Sequence, residues 1–397
     1  MNKKISLGLC LSLVILSITA TFAVTMIFSK QIYNKIISNI SQRSQTYDSV
    51  DEISRIISNY FYGKVDDYSA IGGALAEGYV NGLGDEYSKY LEADEYAEYT
   101  EKIESGLTGC GIETVYSSKK LVISYVYEGS PAETAGLKKG DIITKVNTVA
   151  VTKSNYEALR SMLYGGKLST ISLEYQRDGE TKTAEPMLGF SIPSVTGSLM
   201  GNVGYIKING FFRGTANELE ETYKSLKEKG ASCYVFDVRG VSEGTVDYAA
   251  ATADIVVTTS QPIASIYDKD GQVYKNKKFT NDSGTVIKEN AAVLVDGETK
   301  GPAELFAFVV KNASSAELYG SKTAGNGTYQ DLFTLDGGGA VLLTVAEVRP
   351  LGSETPSYKD VGITPDHLIT DDSDTALLDS EDDKALQAAI ADLSNKS

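Results

Sequence analysis

From about residue 203 the chain alternates short apolar runs with amphipathic segments, an order that few architectures accept. Val203–Ile208 reads as a strand, and Thr215–Lys229 as a helix with Leu219, Tyr223 and Leu226 on one face. Cys233–Val238 reads as a buried strand and Asp247–Thr258 as a helix; Pro262–Tyr267, Ala292–Val295 and Ala316–Tyr319 are further strands. Strands interleaved with helices predict an α/β domain. A last helix is expected over Asp382–Leu393, with Leu386, Ala389, Ile390 and Leu393 buried, behind an acidic linker from Asp371 to Asp383 that reads as mobile.

Residues 106–186 follow a different, β-rich order. Gly109-Cys110-Gly111-Ile112 opens a strand, Leu121–Tyr127 forms a second, and Gly129-Ser130-Pro131-Ala132 turns the chain. Pro131 starts a short helix, Gly136 ends it, and Gly140-Asp141 leads into the strand Ile142–Val146. A helix follows over 154–164, with Tyr156, Leu159 and Leu163 on one face, and Ile171–Arg177 closes the module. Ahead of it, helical periodicity covers 48–62 and 68–83, the latter with Ile71, Leu75, Tyr79 and Leu83 on one face. A further helix rich in Glu and Tyr is expected from Asp94 to about Ile103.

Residues 5–28 carry no charge and follow Lys3 and Lys4. That length spans a bilayer as a helix, and the basic flank places the rest of the chain outside the cytoplasm. A cleavable signal peptide is the alternative, with Thr21-Phe22-Ala23 as a passable cleavage context. The formal net charge of −16 opposes binding to nucleic acid or anionic lipid surfaces. Three cysteines give no disulfide framework, and the single histidine, His367, excludes a metal site built on several histidines. His367 reads as an ordinary surface residue, so no metal and no cofactor are expected.

The segment 291–330 holds the most specific pattern. An apolar strand, Val293–Val295, runs into a loop ending Gly301-Pro302-Ala303-Glu304; a second segment reads Ala324-Gly325-Asn326-Gly327, with Gln330 beyond. Together with Asp237-Val238-Arg239-Gly240-Val241-Ser242-Glu243-Gly244 and the closing Gly362-Ile363-Thr364-Pro365-Asp366, this resembles the C-terminal processing peptidases, the tail-specific serine proteases. The resemblance covers roughly residues 50–393, and the 106–186 order resembles a PDZ domain of the bacterial protease type.

The resemblance implies an α/β multidomain chain. Its parts are an N-terminal transmembrane anchor (1–29), a stalk and helical cap region (30–105), a β-rich PDZ domain (106–187), a peptidase-like core of ClpP/crotonase type (188–370), and an acidic linker with a C-terminal helix (371–397). It also implies that the nucleophilic Ser falls on Gly301 and the general-base Lys on Asn326, 25 residues apart (326 − 301). Glycine has no side chain to attack with, and an amide accepts no proton at neutral pH. The glycine pair of the oxyanion loop becomes Glu243-Gly244, a carboxylate where negative charge builds in the transition state. Gln330 and Glu304 match family positions.

In PDZ domains a peptide adds as an extra strand and its carboxylate meets backbone N–H groups. By resemblance the residues concerned are Gly109, Cys110, Gly111 and Ile112, with Tyr156, Leu159 and Leu163 on the opposite wall. The expectation is a membrane-anchored, extracytoplasmic pseudopeptidase that binds polypeptides or protein C-termini, with a homo-oligomer or an active peptidase relative as further partners. Two alternatives remain open: an active endopeptidase using Thr299 and Lys322, and a purely structural oligomerisation module.

Overall fold

The computed structural model describes residues 46–369 and 383–396, except 118, 167, 282–283 and 353–356, together with a few residues between 17 and 26. Residues 1–72 and 73–397 form two separate compact units. In the first, a helix covers 46–60, and its apolar residues Ile53, Ile56 and Tyr60 stand exposed. Among the described residues no helix is long and apolar enough to cross a membrane; the 5–28 segment lies almost wholly outside them.

The larger unit is built around a six-stranded sheet. Its order is Val195–Met200, Val203–Ile208, Cys233–Asp237, Ala291–Val295, Glu317–Gly320 and His367–Leu368. The first pair is antiparallel and the rest are parallel, in register Val203 to Cys233, Tyr234 to Ala291, Ala292 to Glu317 and Tyr319 to His367. Side chains alternate across it. Ile206, Phe236, Val293 and Val295 face the helices Thr215–Glu228, Val246–Asp254 and Pro302–Ala313. Tyr205, Val235, Ala292 and Leu294 face the C-terminal helix Lys384–Lys396 through Ala385, Leu386, Ala389 and Leu393. Burial on both faces is why these strands read as unbroken apolar runs.

A second, antiparallel sheet runs Lys89–Leu91, Ala340–Pro350, Ala264–Asp268 and Val273–Phe279, with Thr328–Thr334 also on Ala340–Pro350. The strand expected at Pro262–Tyr267 therefore belongs to a different layer from its sequence neighbours. The helix expected to reach Thr258 ends at Asp254, and the helix expected over 154–164 is only Tyr156–Ser161. The expected helix over Asp94–Ile103 spans Ala93–Ser105. In the β-rich module, Ile112–Ser117, Lys120–Val126, Ile142–Val146, Leu173–Arg177 and Glu180–Ala184 pair in that order. Pro131–Thr134 is a short helix capped by Ser130, whose hydroxyl accepts from Glu133 N at 3.1 Å, and Gly136 ends it at φ +81°.

Of the acidic linker expected over 371–383, only Asp383 falls among the described residues, and it is fully buried rather than part of a solvated segment. Arg239 holds it with bonds of 2.9 and 2.6 Å while gripping Asp237 on its other side, and Asp383 accepts from Leu386 N at the start of the C-terminal helix. Burial alone would raise the Asp237 carboxyl, but Arg239 and Lys207 outweigh it and hold the group well below the carboxylate range. The guanidinium is held charged by the same pairing against its own desolvation.

Candidate active site

The strand Ala291–Val295 delivers the chain into a loop that ends at Gly301, where the helix Pro302–Ala313 begins. Gly301 has φ 55° and ψ −108°, a conformation that residues with a Cβ adopt only under strain. A strained strand-to-helix turn of this kind projects whatever side chain it carries out of the fold. A Cβ built on Gly301 would lie 3.2 Å from Asn326 Nδ2. The two sequence positions thus meet in space, glycine against carboxamide.

Glu304 holds them there. It is fully buried, and its carboxylate accepts from Gly301 N at 3.0 Å, Gly325 N at 2.6 Å, Asn326 N at 2.7 Å and the Thr323 hydroxyl at 2.5 Å. Four donors compensate the desolvation of one charge. Its field reaches Tyr358, whose buried hydroxyl has no hydrogen-bond partner among the described residues; burial first, then the Glu304 charge, pushes that phenol well above its usual range.

Asn326 is itself buried, and its Oδ1 accepts from Thr328 N at 3.2 Å and the Thr328 hydroxyl at 2.6 Å. Gln330 donates to that same hydroxyl at 2.7 Å and to Thr344 Oγ1 at 3.2 Å. Gln330 therefore supports Asn326 through Thr328 rather than touching position 301.

The oxyanion-type loop lies beside this pair. Lys300 N donates to Val241 O at 2.9 Å, and Gly240 N to Asp296 Oδ1 at 3.0 Å, which fastens 240–241 to the loop before Gly301. Gly244 must be glycine: at φ 107° a Cβ would sit 2.1 Å from Phe211 O. The Glu243 carboxylate is taken up by Lys102 on the Ala93–Ser105 helix, at 2.7 Å with both side chains half-exposed. That pairing was invisible in the sequence, where only an unpaired charge was legible.

Pro302 is the residue that the sequence reading passed over. An oxyanion hole commonly uses the backbone N–H of the residue after the nucleophile, and proline has none. At the same helix end, Gly301 N is spent on Glu304 and Ala303 N on Lys300 O at 3.2 Å. The signal was present as a Pro at the first helical position, which also serves as a helix starter.

Thr299 is fully buried, with its hydroxyl 3.0 Å from both Val238 O and Asp296 Oδ1 and accepting from Asp296 N at 3.0 Å. Lys322 is exposed and lies toward Gly362. A hydroxyl bonded on this many sides is a loop clamp.

In the β-rich module, Ile112–Ser117 is the outer strand of its sheet. Cys110, Ile112, Leu159 and Leu163 are core residues, at most 3% exposed. Cys110 N donates to Leu163 O at 3.0 Å, and burial pushes its thiol up to about 11. Gly109 pairs with Phe190, and a Cβ there would meet Leu163 O at 2.6 Å; Gly111, at φ 88°, abuts Ser130. At the far end of the strand, Tyr116 stacks on Tyr156 with centroids 4.1 Å apart. Thr114 Oγ1 and Tyr116 Oη, on alternate residues of this strand, are buried without hydrogen-bond partners among the described residues.

Comparison with known proteins bears on this arrangement directly. The pattern of peptidase family S41 matches residues 202–369, and that of the PDZ domain matches residues 109–187. The carboxy-terminal processing protease CtpA of Bacillus subtilis is 30% identical over 306 residues, 76% of this chain and 64% of that protein. A probable CtpA-like serine protease of Staphylococcus aureus is 26% identical over 359 residues, 90% of this chain and 71% of the relative. This chain thus spans just under two thirds of the length of the Bacillus relative. Two solved structures share the fold. The photosystem II D1 C-terminal processing protease does so at a TM-score of 0.52 and 22% identity, over 80% of this chain and 86% of that one. A putative S41 protease from Bacteroides fragilis does so at 0.56 and 20%, over 87% and 97%. Residues 202–369 thus carry the pattern of peptidase family S41 behind a PDZ domain over 109–187, and the chain is similar to the CtpA-like C-terminal processing proteases.

Proposed function

We propose that this chain is a pseudopeptidase, a member of its family that binds polypeptide and does not cut it. The observation that carries the reading is the juxtaposition of Gly301 and Asn326, where a Cβ built on the glycine would lie 3.2 Å from Asn326 Nδ2. The turn, the Glu304 clamp and the Gly244 approach are all kept, while the nucleophile and base positions carry residues unfit for those roles. Pro302 adds a third loss in the same few ångströms. The active alternative through Thr299 and Lys322 is disfavoured because the threonine hydroxyl is committed on several sides and the lysine is exposed elsewhere.

The PDZ module supplies the binding. Its outer strand Ile112–Ser117 offers an edge to which an added peptide strand can bond through main-chain groups. The ligand is a protein C-terminus, its carboxylate at the Gly109–Ile112 loop. Residues 5–28, uncharged behind Lys3 and Lys4, anchor the chain in the membrane with its bulk outside the cytoplasm.

The test incubates the full chain with unfolded protein and a C-terminal peptide library, reading cleavage and retention by mass spectrometry. Retention without cleavage is expected. Cleavage abolished by Thr299→Ala or Lys322→Ala overturns the reading.

A further inference from the structure

We infer that the C-terminal helix and the edge of the central sheet together form a zinc site, with Asp392 from the helix and Glu317 and His367 from the sheet. The three residues come from three elements: the strand Glu317–Gly320, the edge strand His367–Leu368 and the helix Lys384–Lys396. Their ligand atoms all lie within 4.8 Å of one another. His367 Nε2 and Glu317 Oε2 are 3.2 Å apart. Two ligands on a tetrahedral zinc, at about 2.0–2.1 Å each, are separated by about 3.3 Å. The separation therefore fits an edge of that tetrahedron as it stands, and Asp392, with a donor atom within 4.8 Å of the other two, supplies the third ligand.

The cluster is also built to hold its orientation. The imidazole of His367 lies flat on the Tyr319 ring, centroids 4.2 Å apart and planes 4° from parallel. The Tyr319 hydroxyl donates toward both carboxylates, at 2.8 Å to Asp392 Oδ2 and 3.2 Å to Glu317 Oε2. Outer groups that fix the ligands of a metal site do so through such bonds. Asp366, one residue before the histidine, accepts from Leu318 N at 2.9 Å and pairs with Lys311 at 2.7 Å, which pins the edge strand in register. His367 and Glu317 are each 40% exposed, so an ion reaches them from solvent and a water completes the coordination.

One nitrogen and two carboxylate oxygens suit zinc, whereas calcium takes six to eight oxygens. The site is unrelated to the Gly301–Asn326 pair and joins the helix to the sheet on the face opposite the Pro302–Ala313 helix.

The test uses the full chain in mild detergent without a histidine tag, dialysed against zinc and analysed for bound metal, alongside His367→Ala and Asp392→Asn. One zinc per chain is expected, with affinity reduced at least tenfold in each variant, and about a hundredfold excess over Kd should raise Tm by roughly 3 °C. Cobalt substituted for zinc should give the intense visible bands of tetrahedral coordination, a readout independent of stability. Zinc uptake by the natural chain no greater than by His367→Ala, or a cobalt spectrum of octahedral type, overturns the proposal. A variant that fails to fold is recognised by circular dichroism, and the cobalt spectrum of the natural chain then decides.

Discussion

A Cβ placed on Gly301 lies 3.2 Å from the side-chain nitrogen of Asn326. On the proposed reading these are the nucleophile and base positions, and neither a glycine nor a carboxamide can fill its role there. Each consequence can be measured separately.

Restoring the nucleophile alone should cost stability. Gly301 sits at φ 55° and ψ −108°, so Gly301→Ser or Gly301→Ala is expected to destabilise the chain by about 1–3 kcal/mol. Urea unfolding measures it. An unchanged midpoint in both variants would show that the turn relaxes freely.

Glu304 is the structural keystone of the site. Glu304→Ala leaves three backbone N–H groups and the Thr323 hydroxyl without their acceptor, a loss of about 3–5 kcal/mol. Hydrogen exchange should quicken at Gly301, Gly325 and Asn326 together; faster exchange at only one of them would contradict the clamp.

Acid should loosen the buried Asp237–Arg239–Asp383 lock. Asp237 titrates below its unfolded value, so its stabilisation is complete above about pH 4 and is lost as pH falls toward the folded value. Urea midpoints between pH 3 and 7 should fall on the acid side, and Asp237→Asn should be less stable at pH 7 with a shallower acid slope. An identical slope in the variant would assign the acid loss to other carboxylates.

Thr114 separates stability from binding. Its buried hydroxyl has no partner among the described residues, so Thr114→Val should leave stability unchanged or raise it by up to about 1 kcal/mol and leave affinity for a C-terminal peptide unchanged. Amidating that peptide should weaken it at least tenfold, read by fluorescence anisotropy. Equal affinity for the free and amidated peptide would remove the carboxylate from the account.

Much of this was legible before any coordinates. The resemblance implied that Gly301 and Asn326 face each other, and apolar periodicity located the central strands and the faces of the Thr215–Glu228 and Lys384–Lys396 helices. The second sheet was not legible. Ala264–Asp268 and Ala340–Pro350 are partners far apart in sequence, and local pattern does not say which sheet a strand joins. Asp383 read as linker because it ends an acidic run, and nothing in that run marks one member as buried until Arg239, 144 residues away, closes on it. Lys102 and Glu243, and the His367 cluster, are hidden for the same reason: the partners are brought together only by the fold.

The most direct measurement compares the natural chain with the Gly301→Ser/Pro302→Ala/Asn326→Lys variant on an unfolded protein substrate, reading new termini by mass spectrometry. The account predicts no cleavage by the natural chain and cleavage by the triple variant, with the variant retaining Pro302 much slower because a backbone donor is still missing. New termini generated by the natural chain, lost on Thr299→Ala or Lys322→Ala, would contradict it.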